Sequence, residues 1–311
     1  MARTKRRHTR GMRFIKPLPD SIREPVSVAT ARERGATRSQ LRNTAFRAPF
    51  HGTRVLGPAE PSLQVCCTAL MTRLPDGSAI SHLTAADLRS MRLPLARRDG
   101  VHATVPPSHR APRHRGVHGH SARLRDTDVT LVDGIPTTTV ERTWCDLGAL
   151  LSLPELVAVA DGALWIEDAT TTLSDLRDAM REHRNRPYFP KLRRALELTS
   201  AHSASRPESL LRVHIVLSDL PDPIPNYTLE LTHRAGHRVL DLAYPKYRLG
   251  LEYHGDHHRT DKHQWHTDIQ RANDIVKEDW EELQFTGADL PRLDVLLAQV
   301  ERRLRARGWV G

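Results

Sequence analysis

The sequence has no apolar run that could cross a bilayer: nothing in its 311 residues approaches the roughly 18 consecutive apolar side chains that a membrane helix needs. A membrane-spanning helix is excluded. The opening MARTKRRHTRGMRF is charged, but neither an apolar stretch nor a small-residue cleavage site follows it, which points away from a secretory signal and toward the cytoplasm. Cysteine is scarce as well. The neighbours Cys66 and Cys67 and the distant Cys145 give neither a disulfide framework nor a zinc spacing, so they read as reduced core residues. Acidic residues are outnumbered, 37 Asp and Glu against 47 Lys and Arg, which leaves a net charge of +10 with 18 histidines besides. Two explanations stay open: a polyanionic partner, with nucleic acid first among candidates, or an arginine-rich composition set by codon usage in the host genome. What is there is otherwise globular, 39% hydrophobic and 27% charged, in a chain long enough for roughly two or three units.

Met1 to Arg13 carries six Lys or Arg residues and almost nothing apolar, so a disordered basic arm is expected over 1–20. In 21–57, Val28, Ala29 and Ala31 lie in a short helical stretch that stops at Gly35, and Thr37 opens a second helix. This is a helix-turn-helix rhythm, and Arg38, Arg42 and Arg47 fall where phosphate and base-edge contacts would come from; two packed helices with solvated arginines are the bland reading.

After a linker at Pro58 and Pro61, an αβ segment over 58–180 is expected. Its pattern predicts helices over Leu63 to Arg73 and Ala79 to Met91, a strand at Val101 to Val105, and an exposed basic loop or hairpin tip from Pro106 to His120. A strand near Val129 to Val132 and a turn at Asp133-Gly134 follow. Thr138 and Glu141 form a capping-box signature for a helix holding Trp144 and Leu147, and Leu153 to Leu164 continues at helical spacing. Asp146 and Asp161 read as solvated or capping residues on these helices. The Arg- and Pro-rich piece within 181–204 reads as a surface connection to the final domain, 205–311.

The segment with the most chemistry lies between Ser205 and Asp289. RVLDLAY (Arg238 to Tyr244) and RLGLEYH (Arg248 to His254) alternate like strands and should form a hairpin around Pro245. Pairing Tyr244 with Leu249 sets Asp241 opposite Glu252. Leu240, Leu242 and Tyr244 then share one face with Leu249, Leu251 and Tyr253, while Asp241, Glu252 and His254 share the other. Two carboxylates directly opposed sit with Cβ atoms about 4.5–5.5 Å apart and repel unless something positive lies between them. A divalent cation such as Mg²⁺ answers this, and so would neighbouring arginines. Glu208 could be a third carboxylate aimed at the hairpin, or the partner of Ser205 in a capping box. His254, His257, His258, His263 and His266 crowd together without cysteine partners or an HExxH arrangement, so a zinc-dependent hydrolase is a further, unspecific reading. His258 reads better as a general acid/base or phosphate contact.

RPESLLR, LDLAYPKYRLGLEYHGDHHR, QWHTDIQRAND and WEELQFTGADL together resemble the nuclease-like domains allied to very-short-patch-repair endonucleases, within the PD-(D/E)xK superfamily. The resemblance covers roughly Ser205 to Arg307. It implies an α/β/α domain with a mixed central sheet and Mg²⁺-dependent phosphodiester hydrolysis. Asp241 matches the first catalytic acid, Glu252 the acid of the (D/E)xK element, Glu208 the acid on the preceding helix, and His258 the histidine after the second strand. His254 stands where the lysine of the motif is expected. More weakly, RGATRSQLRNTAFRAPFHGTRV, GVHATVP and VDGIPTTTVERTWCDLG resemble the AbiEi-type antitoxin layout, a winged-helix-like unit followed by an αβ domain, which implies DNA binding without chemistry.

The expectation is an α+β multidomain protein: a winged-helix-like N-terminal unit, a middle αβ domain and a C-terminal α/β/α nuclease-like domain. It would bind DNA through Arg38, Arg42, Arg47, Arg259 and Arg271. Asp241, Glu252 and Glu208 would hold Mg²⁺, with His254 or His258 assisting proton transfer. The alternative is a catalytically inactive, antitoxin-like regulator, with a cognate toxin as a possible partner and no membrane.

Overall fold

The computed structural model describes residues 22, 25–43, 45–57, 60–94, 99–255 and 273–311. The expected basic arm, His257, His258, Arg259, His263, His266 and Arg271 lie outside the described residues. The protein is an α+β chain of two compact units, the first formed by 1–80 with 98–137 and the second by 81–97 with 138–311. Among the described residues no helix is long and apolar enough to cross a membrane.

The first unit opens with β1 (Val26–Ser27), α1 (Val28–Glu33), α2 (Arg38–Leu41), β2 (Phe46–Arg47) and β3 (Thr53–Leu56), the strands ordered β1-β3-β2. Ala31 of α1, Ala36 of the turn between the helices and Leu41 of α2 bury together against Val26 and Ile22. Thr37 and Gln40 close a capping box at the start of α2. The Arg54 Nε donates to the Leu41 carbonyl at 2.5 Å, satisfying the far end of the same helix.

After α3 (Leu63–Met71) comes a second sheet of β4 (Ala79–Ile80), β5 (Val101–Val105), β6 (Val117–Ser121), β7 (Val129–Val132) and β8 (Ile135–Thr138), ordered β6-β5-β4-β8-β7. Two expectations are corrected here. Ala79 and Ile80 are a strand, so α4 (His82–Leu88) starts later than the helical pattern suggested. Val117 to His120, read with the basic loop, forms most of β6 and pairs parallel to β5. The turn into β8 is as expected, Asp133 and Gly134 both adopting positive φ. Gly119 is required by a close approach: a Cβ there would lie 2.2 Å from the Pro112 carbonyl oxygen, a backbone atom. Gly119→Ala is expected to destabilise the first unit by about 1–3 kcal/mol, read as a lowered urea midpoint.

The second unit is built on α5 (Val140–Leu147), α6 (Leu153–Leu164), α7 (Leu173–Glu182), α8 (Phe189–Leu198) and α9 (Arg206–Val216). Trp144, fully buried, donates its Nε1 proton to the Leu156 carbonyl at 3.0 Å and pins α5 to α6. The cap of α5 is Thr139, one residue later than expected. Thr138 instead bonds the Thr143 hydroxyl at 2.7 Å. The stretch 181–204 is more than a connection, since Leu192, Ala195 and Leu198 recur every three residues and bury α8 in the same core. Asp146 and Asp161 are buried rather than solvated. Burial pushes the Asp146 carboxyl up, but His183, His82 and Arg142 together hold it below the ordinary carboxylate range.

Helix α9 is buried on several sides. Val213 joins the helical core, while Leu211 and Ile215 meet a four-stranded mixed sheet. That sheet contains β9 (Ile224–Glu230), β10 (His237–Tyr244), β11 (Leu249–His254) and β12 (Glu281–Thr286) in the order β12-β11-β10-β9, with β11 and β12 parallel and the rest antiparallel. The closing helix α10 (Leu293–Ala306) adds Leu296, Val300 and Leu304 to the face carrying Leu242, Tyr244, Leu249, Leu251, Leu283 and Phe285.

Candidate functional site: a carboxylate cluster on the mixed sheet

The hairpin register is the expected one, from Tyr244 opposite Leu249 to Leu242 opposite Leu251. Arg248 makes the turn possible by taking a left-handed conformation, φ 47°. The expected alternation, however, fails at Asp241. Leu242 and Tyr244 lie in the core with α9 and α10, but Leu240 lies with Ala243, Leu229, Ile275 and Trp280 in a separate cluster. The Leu240 side chain packs over Gly250, so it is not on the Leu242 face.

Backbone pairing is irregular on both sides of this break. On β9, Pro225 and Tyr227 pair with Leu242 and Leu240, and Asn226 between them takes φ 52°. Pro225 has no N–H to give, and asparagine tolerates the left-handed region better than most residues. On β11, the Tyr253 N–H donates to Asp241 Oδ2 at 2.7 Å. A half-buried carboxylate has thus taken a backbone donor from the neighbouring strand, which offsets part of its lost hydration.

Three more acids surround Asp241. Glu208 sits in the first turn of α9, 6% exposed. Ser205 caps the helix by accepting the Glu208 N–H at 3.4 Å, while Glu208 Oε2 accepts the Ala204 N–H at 2.9 Å, one residue before the expected capping-box donor. Burial pushes the Glu208 carboxyl up to about 7, and the charge of Asp241 adds to the rise. Burial also raises Asp241, with the Tyr253 N–H and Arg238 opposing and Glu282 adding to it. Glu252 does not stand bare opposite Asp241. Arg238 Nη2 donates to Glu252 Oε1 at 3.1 Å and to Glu282 Oε2 at 3.4 Å, with all three side chains largely buried. Of the two explanations left open by the sequence, the arginine accounts for Glu252 and Glu282, while among the described residues Asp241 and Glu208 make no ion pair with it.

Sequence reasoning missed Arg238, Glu282 and Gln284. Leu283 and Phe285 enter the core, so the alternating EELQFT run turns Glu282 and Gln284 the other way, and Gln284 is the register partner of Glu252. That alternation was a readable signal. His254 ends β11 half-buried, opposite Thr286. In the first unit Arg38, Arg42 and Arg47 are all exposed, on α2, at its C-terminal cap and on β2.

Hard oxygen donors suit Mg²⁺, and the donor set here is all carboxylate. Asp241 commits Oδ2 to a backbone N–H and leaves Oδ1 without a hydrogen bond among the described residues. Asp241 adds its charge to a buried Glu208 whose proton affinity is already raised, a place where a cation is favourable, so the donor chemistry of these two acids fits the ion.

The raised pKa of Glu208 has a direct consequence for stability. The folded protein binds a proton on Glu208 more tightly than the unfolded chain, so this group's contribution is present below about pH 4.5 and lost as pH rises through about 7. Glu208→Gln keeps the acceptor for Ala204 and removes the charge. It is expected to raise the urea midpoint at pH 8 and leave it nearly unchanged at pH 4.5; an equal effect at both values would contradict the account.

No family model matches the chain, and no curated protein does. Among solved structures, the crystal structure of the RV2827C protein from Mycobacterium tuberculosis is similar at a TM-score of 0.42 and 14% identity, over 66% of this chain and 83% of that one.

Proposed function

We propose that the protein binds DNA and hydrolyses phosphodiester bonds at the carboxylate cluster of the second unit, with Mg²⁺ held by Asp241 and Glu208. The observation that carries this reading is Asp241, its Oδ2 held by the Tyr253 N–H at an irregular point of the strand pair and its charge adding to the raised proton affinity of the buried Glu208. When bound, Mg²⁺ supplies Lewis-acid polarisation of a phosphoryl oxygen and a more acidic water. The chain's own residues do the positioning. The Tyr253 N–H fixes Asp241, and the Ala204 N–H fixes Glu208. Arg238 orients Glu252 and brings a fixed positive charge to the cluster, the charge that the motif's lysine would supply. His254 and His258 are the candidates for moving a proton. On this reading the mixed sheet with α9 and α10 is a PD-(D/E)xK core, and α1, α2 and the β2–β3 hairpin are a winged-helix-like DNA reader.

Arg38, Arg42 and Arg47 would contact phosphates, as would Arg259 and Arg271. Arg38→Ala and Arg42→Ala are each expected to weaken duplex binding across sequences and to reduce the slope of log K against log salt by about one. The reading itself is tested by supercoiled plasmid nicking with Mg²⁺ against the same reaction in EDTA. Metal-dependent nicking by purified wild type supports it; persistent binding without cleavage of DNA or RNA supports the second reading.

That second reading is a DNA-binding, antitoxin-like regulator that has lost catalysis, with a toxin as partner. Arg238 favours it, because a guanidinium already neutralises Glu252 and Glu282 where a metal would otherwise be needed.

A further inference from the structure

In the first unit, β5 and β6 run parallel with His102 opposite His118 and Thr104 opposite His120. Residues two apart on a strand share a face, so three imidazoles stand on one side of this ladder. His102 Nδ1 and His120 Nε2 approach to 3.0 Å, their rings 13° from parallel. His102 is also stacked by His118, with ring centroids 4.5 Å apart. His118 Nε2 in turn bonds the Asp99 carbonyl, which holds that ring in place. His102 is 8% exposed and His120 half-buried, so neither nitrogen is freely hydrated.

Two imidazole nitrogens on one tetrahedral ion, each at about 2.0–2.1 Å from it, lie roughly 3.3 Å apart. The observed separation is a few tenths of an ångström shorter. At this separation one ring N–H can donate to the other ring's nitrogen, and an ion in that proton's place would need the two nitrogens only slightly further apart. Imidazole donors select borderline ions such as Zn²⁺ over Mg²⁺, which prefers oxygen.

We propose that His102 and His120 chelate a borderline divalent transition-metal ion, of the Zn²⁺ class, with water in the remaining positions. The site differs in donor chemistry from the carboxylate cluster and belongs to the other unit.

The test uses the full chain stripped of metal by a chelator, with Zn²⁺ alone as the probe in competition with a chromogenic chelator. One Zn²⁺ per chain, held against the competing chelator, is expected. His120→Gln and His102→Asn should each weaken it at least tenfold, with far-UV circular dichroism unchanged. If His102→Asn does not fold, the less buried His120→Gln decides. His257→Ala/His258→Ala, in the histidine-rich segment of the second unit, should leave this ion in place. Failure to bind Zn²⁺, binding that survives both His102 and His120 substitutions, or loss of the ion only on changing His257 and His258 would each overturn the proposal.

Discussion

Asp241→Asn is expected to reduce Mg²⁺-dependent plasmid nicking by at least about 100-fold while leaving duplex affinity within about twofold. The asparagine side-chain oxygen can still accept the Tyr253 N–H, so the hairpin keeps its local geometry. What disappears is the negative charge and with it the grip on a cation. The same substitution removes the charge that helps raise Glu208, so the Glu208 carboxyl should fall back toward its ordinary range. Urea unfolding at pH 8 should then show Asp241→Asn no less stable than wild type. Loss of nicking with a retained fold separates chemistry from damage. Equal nicking by the variant would remove Asp241 from the mechanism.

Arg212→Met is expected to destabilise the second unit by about 3–5 kcal/mol, because it leaves a buried carboxylate without its counter-charge. Asp161 is fully buried on α6 and receives Arg212 Nη2 at 2.8 Å and the Ser200 N–H at 2.7 Å. Burial already raises the Asp161 carboxyl, with Arg212 as the leading opposing influence. Without Arg212 that carboxyl should rise further, so the penalty should shrink as pH falls through the carboxylate range. Asp161→Leu/Arg212→Met should recover most of the loss, since two apolar side chains of similar volume replace the pair at little net cost. This pair, with Arg206 bonded to Glu155 at 2.8 Å, ties α9 to α6. Because α9 carries Glu208, the ties also position the cluster. A Tm equal to wild type for Arg212→Met would show that the pair does not hold α9.

How much of this was legible depended on how local the determinant was. The hairpin register followed from a four-residue loop and two alternating strands, and the pairing of Leu242, Ala243 and Tyr244 matches it. The break at Asp241 could not be read the same way. It depends on Asn226, fifteen positions earlier, and on an N–H drawn from β11. Periodicity alone therefore placed Leu240 on the wrong face. Arg238 was visible as the first residue of RVLDLAY, but its pairing with Glu252 and Glu282 crosses three strands and needs the parallel β12 in place.

Other omissions have similar causes. Asp161 sits among Val157, Ala160 and Leu164 on a helix that is apolar nearly all round, a pattern that marks burial on every side. Reading the charge before the surrounding pattern made it a surface residue. The cap of α5 moved from Thr138 to Thr139 because Thr138 ends β8 and spends its hydroxyl on Thr143. In the first unit the parallel β5–β6 pair puts three histidines on one face, which no spacing within either strand announces.

The central claim is that Asp241 and Glu208 form a site for a hard divalent ion. Calorimetric titration of Mn²⁺ into the wild-type chain and into Asp241→Asn/Glu208→Gln at pH 8 tests it most directly. One ion per chain in the wild type, lost in the double variant, is the predicted result. Absence of binding in the wild type, or the same isotherm for both proteins, would contradict it.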